Sequence, residues 1–336
     1  MKDVKIFEND IALSSRIRLA RNLDDKKFPN VTSKAEAENI KNEICNVLLN
    51  NDEALFADLQ YIDLSVLTDS ARVELIEKHL ISPNLGANEG AAVLLSEQQG
   101  ISLMINEEDH LRIQYILDGF NLFNAYELAD NADNWLQNQL HFAFDSRWGY
   151  LTSCPTNVGT GMRASVMLHI PAIAMSGEIL LIQKTAAKFG LTIRGTYGEG
   201  SELMGDLIQI SNQNSLGMTE ENIINDIHAV SKEIIKKERR HRNALLENNE
   251  DEIRDHIMRA FGILSYAHSI DTQESMRLLS LIRMGIDMGL VDMELKTVNL
   301  LMRTMQPATI KGLFPEMTDK IDIARAQYIR KKLNHK

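Results

Sequence analysis

The chain has little cysteine, no surplus of basic charge and no long apolar run, and each shortage closes off a class of protein. Two cysteines in 336 residues, Cys45 and Cys154, are too few to staple a chain of this length. A disulfide framework is excluded and a reducing, cytoplasmic compartment is expected. Lys and Arg number 36 against 47 Asp and Glu, a formal net charge of -11. A field of that sign opposes general nucleic-acid binding, which needs a basic face to neutralise phosphate. Any anion site must therefore be built locally. The most apolar stretch, Ser165 to Ile182, is interrupted by His169, Pro171, Ser176, Gly177 and Glu178. It falls short of the roughly 20 apolar residues of a spanning helix, so no membrane association is expected. The start, MKDVKIFENDIAL, carries acids and no apolar core, which predicts a mature chain rather than a secretory signal. Two phosphotransfer signatures are missing as well: there is no G-x-x-x-x-G-K-[ST], and no H-R-D or D-F-G set.

What is present is ordinary for a globular protein, with 44% hydrophobic and 25% charged residues. The length favours two domains. Residues 91 to 106, AAVLLSEQQGISLMIN, place two apolar runs around a Gly100 turn and predict a hairpin. Further strands are expected at Tyr150 to Ser153, Ala164 to Ile170, Thr192 to Tyr197 and Leu207 to Ser211, each bounded by Gly, Pro or Asn. Helices are expected at Lys34 to Leu49, Ser70 to His79, Asp109 to Leu140 in two pieces, and Glu178 to Phe189, capped by Gly190. After Gly217 the pattern is helical throughout. Ile223, Ile224, Ile227, Val230, Ile234 and Ile235 recur at helical spacing behind an N-cap at Thr219. Further helices are expected near 250–266, 272–288, 292–305 and 318–333, with Asp271 and Glu274 as a capping pair and Pro307 closing the third of these. The reading is α+β over residues 1–216, followed by an all-helical domain over 217–336. Eight of the fifteen methionines follow residue 250; they either fill a helical core or form a soft partner surface.

Arginines beside strands and glycines are an alternative means of gripping phosphate, because the guanidinium fork is always charged. In SSRIR, Arg16 and Arg18 alternate, so an extended segment points both to one face; a surface strand explains them too. Arg163 follows NVGTG, a glycine turn whose amides can approach an anion. Arg194 opens IRGTYGEGSELMG, which reads as a ligand-contacting lid or as a hairpin loop. Three consecutive acids in NEEDH, Asn106 to His110, call for a cation opposite them, or else serve a helix N-terminus. Arg112 lies four residues after Glu108 and serves either a nucleotide or the acids themselves.

In order along the chain, SSRIRLARNL, INEEDHLRIQ, GYLTSCPTNVGTGMRASVMLHIP and IRGTYGEG resemble the signature blocks of the ATP:guanido (phosphagen) kinase family. The resemblance implies that family's fold: a glutamine-synthetase-like catalytic domain with an antiparallel sheet flanked by helices. It implies ATP with Mg²⁺. Arg16, Arg18, Arg112, Arg163 and Arg194 resemble the arginines that hold the nucleotide phosphates, and His79 resembles the histidine near the base. The nucleotide-binding blocks extend over Ser14, Ser15, Ile17, Ala164, Ser165, Val166, Met167, Gly195, Thr196, Tyr197 and Gly198. Glu108 resembles the carboxylate that orients the acceptor guanidinium and takes its proton. Glu199 resembles its partner, and Cys154 the thiolate beside the guanidinium, or else a small buried hydrophobe. No set of protein ligands to a metal is assigned.

Small-guanidine members of the family carry a helical domain ahead of the SxRxR block, whereas here the helical region comes last. That layout is similar to the family's protein-arginine kinases. The resemblance then implies protein substrates bearing exposed arginine, a heat-shock repressor among them. It also implies a zinc-binding activator, a Clp-type unfoldase for which phosphorylated proteins are marked, a homodimer, and a role in the stress response and protein quality control. A free-arginine kinase and a non-catalytic adaptor are the alternatives. These kinases also carry an RDxxRA motif read as a regulatory phosphoarginine pocket. Here Asp322, Arg325 and Ala326 match it while Ile321 stands in place of the first arginine. A pocket one cation poorer should bind more weakly, or the segment is simply an amphipathic terminal helix.

Overall fold

A computed structural model of the chain describes residues 8–85, 90–195 and 203–333. Strand β1 (Ala12–Arg21) is followed by helix α1 (Lys34–Leu49), strand β2 (Gln60–Asp63) and helix α2 (Asp69–Glu77). Next come strands β3 (Ala92–Ser96), β4 (Ile101–Ile105) and β5 (Leu111–Asp118), helix α3 (Leu122–Gln137), the small hairpin β6 (Phe144–Asp145) and β7 (Gly149–Tyr150), and strand β8 (Met162–His169). Helices α4 (Pro171–Met175) and α5 (Ile179–Ala187) lead to strands β9 (Leu191–Gly195) and β10 (Leu207–Asn212). The rest is helical: α6 (Glu220–Tyr266), α7 (Thr272–Asp287), α8 (Leu295–Thr304), α9 (Pro307–Leu313) and α10 (Ile321–Leu333). Eight strands form one sheet in the order β2-β3-β4-β5-β1-β8-β10-β9. The pairs from β2 through to β1 are antiparallel. This is the expected α+β class, an antiparallel sheet flanked by helices with a helical C-terminal region.

Local chemistry accounts for many of the boundaries. Ser33 and Glu36 close a reciprocal capping box at the start of α1. Thr219 accepts the Asn222 amide at 3.2 Å ahead of α6, and Asp271 accepts the Glu274 amide at 2.7 Å ahead of α7. Gly190 takes the left-handed conformation after α5. The segment from 220 to 266 is one helix with a break in its dihedrals at Asn249, rather than separate helices.

Other expectations fail. Of the strand expected at Tyr150 to Ser153, only Tyr150 is in a strand, the end of β7. Asp109 to Leu140 was expected to be helical in two pieces, but Leu111–Asp118 is strand β5. Three acids ahead of an apolar segment imitate a helix start, yet Leu111, Ile113, Tyr115 and Leu117 alternate with Arg112 and Gln114. Period two wins because the partners β1 and β4 satisfy the backbone on both sides. The same alternation sets the faces of β1. Ser15, Ile17 and Leu19 pair with Leu117, Tyr115 and Ile113, while Arg16, Arg18 and Ala20 pair with Ile116, Gln114 and Arg112.

Contacts divide the chain into two compact units, one of Ser14–Val166 and Ser211–His228, the other of Met1–Leu13, Met167–Ile210 and Ala229–Lys336. In the second, Ile282, Leu301, Ile310 and Ile329 centre an apolar cluster that includes Met276, Met302 and Met305. Those three methionines fill core, as Met284 does in a neighbouring cluster, while Met258 is exposed. This unit also buries Arg242 and Arg283 around His169. Arg242 donates to Glu238 and to Asp287, each at 2.8 Å. Arg283 donates to Asn299, the Asp10 and Asn9 carbonyls, and His169 Nδ1. Arginine can only donate, so His169 Nδ1 accepts and its Nε2–H faces Ser280 Oγ at 2.8 Å. Burial and the two arginines hold this imidazole well below its ordinary pKa.

Candidate active site

The site lies in the unit of Ser14–Val166 and Ser211–His228 and starts from the alternation in β1. Arg16 and Arg18 share a face, and the register puts Gln114 opposite Arg18 and Arg112 opposite Ala20 on that same face. Strand β8 flanks β1 on its other side: the Ala20 amide donates to Gly161 O and the His169 amide to Ile11 O, both at 2.9 Å, so the two run antiparallel. Arg163 is on β8. Burial, then Arg163 and Arg112, hold the Arg16 guanidinium down to about 10. Burial, Arg16, Arg112 and Arg163 push Arg18 well below its ordinary value, opposed by Glu107. Arg18 Nε is buried with no hydrogen-bond partner. Mutually repelling guanidinium groups on one face make a cradle of positive charge that an anion of several charges would relieve. The phosphates of a nucleotide have the charge and the acceptor oxygens that such a cradle requires.

His79 stands at one side of this face. It has a left-handed backbone, with φ 59, and its carbonyl accepts Gln114 Nε2 at 2.9 Å. The next residue, Leu80, accepts Ser102 Oγ from β4 at 2.5 Å. Backbone held in this sparsely populated region is characteristic of binding sites.

The acids of NEEDH occupy the turn from β4 to β5 rather than a helix start. Asn106, with φ 55, opens the turn and is pinned by its side-chain amide to the Ala37 and Gly90 carbonyls at 2.8 and 3.0 Å. A turn this tight sends successive carboxylates in different directions. Glu107 is buried and meets Arg112 at 2.6 Å and Ser82 Oγ at 2.6 Å. Glu108 remains partly exposed, with Arg112 at 3.2 Å. Burial foremost, with Glu107 and Asp109, raises its pKa against the pull of Arg112 and a hydrogen bond from Cys154. Asp109 is buried and accepts both Asn22 Nδ2 and the Ser153 amide at 2.7 Å. Cys154 Sγ also lies 3.1 Å from Thr156 Oγ1. A carboxylate and a thiol side by side, next to a cationic face, can hold a guanidinium against an anion.

The remaining expected residues are placed as follows. Ser14 follows the arginine face of β1, while Ser15 and Ile17 point to the other. Ser15 Oγ donates to Gly119 O and accepts the Asn121 amide, each at 2.9 Å, which ties β1 to the start of α3. Ala164 and Val166 are fully buried, Ser165 is buried and Met167 packs against the apolar cluster of the other unit's own residues. The Ala164 amide is held by Asn212 at 2.9 Å. Arg194 and Gly195 end β9 in the second unit, where Arg194 is exposed. Thr196, Tyr197, Gly198 and Glu199 lie outside the described residues. Arg325 is buried, with Nε on Met305 O at 2.9 Å and Nη1 on Ile270 O and Asp322. Ala326 is buried beside it and Ile321 packs into the core. So placed, Arg325 ties helices together and presents neither Nε nor Nη1 to an anion. Sequence reasoning missed Glu107, Asp109 and Gln114. It missed Arg21 too, which grips Asp133 through Nε and Nη2 at 2.9 and 2.6 Å and stacks 3.5 Å above Tyr150. Period two in LRIQY would have identified Gln114; Glu107 and Asp109 depend on the turn, and Arg21 on the distant Asp133.

The family model of the ATP:guanido phosphotransferase C-terminal catalytic domain matches residues 39–241, and that of the protein-arginine kinase McsB C-terminal domain matches 250–336. A protein-arginine kinase of Halothermothrix orenii is 46% identical over 97% of this chain and 94% of its own. One from Caldanaerobacter subterraneus is 41% identical over 98% and 99%. The crystal structure of a lombricine kinase covers 69% of this chain and 67% of its own, with a TM-score of 0.61 at 24% identity, and shows the shared fold. With the two family models matched in succession along the chain and near-full-length relatives above 40% identity, the chain belongs to the ATP:guanido phosphotransferase family of kinases, with the C-terminal domain of the protein-arginine kinases.

Proposed function

We propose that this kinase transfers the γ-phosphoryl group of ATP to the guanidinium of arginine side chains in other proteins. The observation that carries the proposal is the face of Arg16, Arg18, Arg112 and Arg163 beside the Glu108–Cys154 pair, in a chain whose near-full-length relatives are called protein-arginine kinases. The four arginines hold the phosphates, and His79 stands by the base. Mg²⁺ arriving with ATP would add charge neutralisation on the phosphates.

Acceptor chemistry sets the task of the carboxylate. Arginine's pKa near 13 lies about six units above neutral pH, so removing its proton before attack would cost roughly 8 kcal/mol. Glu108 instead holds the guanidinium in line. As the nitrogen bonds to the γ-phosphorus, the bond from that phosphorus to the ADP oxygen breaks and the guanidinium proton passes to the carboxylate. The arginines stabilise charge that spreads over the phosphoryl oxygens in a loose transition state. Glu199 serves as the second carboxylate and Cys154 as a further contact to the guanidinium.

In the cell, the reading extends to cytoplasmic protein quality control under stress. Phosphorylated proteins are passed to a Clp-type unfoldase and a heat-shock repressor is inactivated, with a zinc-binding activator and a homodimeric kinase. No helix among the described residues is long and apolar enough to cross a membrane. The deciding experiment supplies γ-labelled Mg-ATP with both free arginine and an arginine-rich unfolded protein. Acid-labile label on the protein is expected; label on free arginine alone would overturn the acceptor assignment.

A further inference from the structure

Asp109 stands between two parts of the site and touches neither phosphate nor acceptor in the scheme above. Its Oδ1 accepts Asn22 Nδ2 and the Ser153 amide, both at 2.7 Å. Asn22 follows β1 directly and donates a second time to Leu151 O at 3.1 Å, while its own Oδ1 takes the His110 amide at 2.9 Å. His110 in turn accepts the Leu23 amide on Nδ1 at 3.0 Å and meets Lys27 O through Nε2 at 2.9 Å. The end of β1, the β4–β5 turn and the loop from Leu151 to Cys154 thus converge on one buried carboxylate, 1% exposed. Glu108 is one residue before it and Cys154 one residue after Ser153, and the thiol is near enough to Glu108 to help lower its pKa.

Two buried polar atoms at this junction have no partner: Asp109 Oδ2 and Ser153 Oγ. A carboxylate buried with an unmet oxygen costs stability, and in native proteins such groups call for a specific explanation. We propose that Asp109 is a positioning residue, whose Oδ1 clamps the Cys154 loop to the β4–β5 turn and so fixes the thiol against Glu108 at the spacing the acceptor guanidinium needs. The inference rests on the acceptor reading above. It adds that geometry at the acceptor wall is set by an acid one position removed from the carboxylate that works there. The clamp needs an acceptor oxygen and no negative charge, so asparagine can replace the aspartate while alanine cannot.

The test compares Asp109→Ala and Asp109→Asn in the full chain. For the alanine variant, kcat/KM for the protein acceptor should fall roughly 100-fold, the scale of an ångström-sized misplacement, with KM for ATP unchanged. Asp109→Asn should recover most of that loss. A second readout needs no turnover: the rate at which iodoacetamide modifies Cys154, followed by mass spectrometry of its peptide. Cys45 serves as an internal control because burial pushes its thiol up to about 11, leaving it slow. Cys154 should react several-fold faster in Asp109→Ala and at the wild-type rate in Asp109→Asn. Unchanged alkylation or unchanged acceptor kcat/KM in the alanine variant would overturn the clamp, as would an asparagine variant as impaired as the alanine one. Because alkylation is read without phosphoryl transfer, a failed clamp and a failed acceptor assignment give different results.

Discussion

Two clusters of arginine in this molecule differ in how their charge is met. Around His169, Arg242 and Arg283 are buried with hydrogen bonds from their guanidinium nitrogens to carboxylates, carbonyls, an amide oxygen and an imidazole. On the face of β1, Arg16 and Arg18 lie near Arg112 and Arg163, and burial together with these neighbouring guanidinium groups lowers the proton affinity of Arg16 and Arg18. Arg18 keeps a buried Nε with no partner. In the first cluster too, burial and then Arg242 hold Arg283 down, to about 9, but carboxylates nearby oppose the shift and both guanidinium groups find acceptors within the protein. The second carries an electrostatic cost that an incoming polyanion removes, which is how a binding site differs from a core.

Substitutions should separate the two. The largest effect is expected for Arg18→Ala, where phosphoryl transfer should fall by about 10³-fold, as for other arginines that stabilise a transferring phosphoryl group. Thermal unfolding should show no loss of stability, because a like-charge repulsion goes with the side chain. Arg242→Ala should do the reverse. It leaves Glu238 and Asp287 without their cation, and denaturant unfolding should show a loss of about 3–5 kcal/mol. A variant at either place that lost both properties together would erase the distinction.

Smaller effects probe the acceptor side. Glu108→Gln should lower kcat about 100-fold or more, the usual contribution of a positioned base, while calorimetry shows ATP affinity intact. The raised pKa of Glu108 also fixes a sign. The active form is the carboxylate, so the rate is lost as pH falls through the folded value, and the acid limb of kcat/KM should lie above the ordinary glutamate value of about 4.3. For stability the same shift acts in the other direction: the contribution is present below the unfolded pKa and lost as pH rises through the folded one. Glu108→Gln should therefore raise the neutral-pH Tm slightly, the gain being reduced because the side chain is partly exposed and loses its contact with Arg112.

Much of the arginine face was legible in the sequence, because i and i+2 on a strand must share a face. The hairpin of β3 and β4 and the helices after Gly217 were legible for the same kind of reason, a period of two or of 3.6 carried by apolar residues. What could not be read depends on distant partners or on turn geometry. His169 meets arginines 73 and 114 residues away, and nothing local marks that pairing. In NEEDH, the left-handed Asn106 decides which acid is buried under Arg112, which stays partly exposed and which accepts Asn22 and the Ser153 amide. Three adjacent acids look alike until the backbone turns. The strand β5 was hidden by those same acids, which resemble the first turn of a helix.

The central claim is that the repulsion on the β1 face exists to hold the phosphates of ATP. Calorimetric titration of ATP into the wild type and into the Arg16→Ala/Arg18→Ala double variant tests it most directly, with circular dichroism confirming that both are folded. The account predicts clear binding to the wild type and none measurable to the double variant. Equal affinity in the two would contradict it.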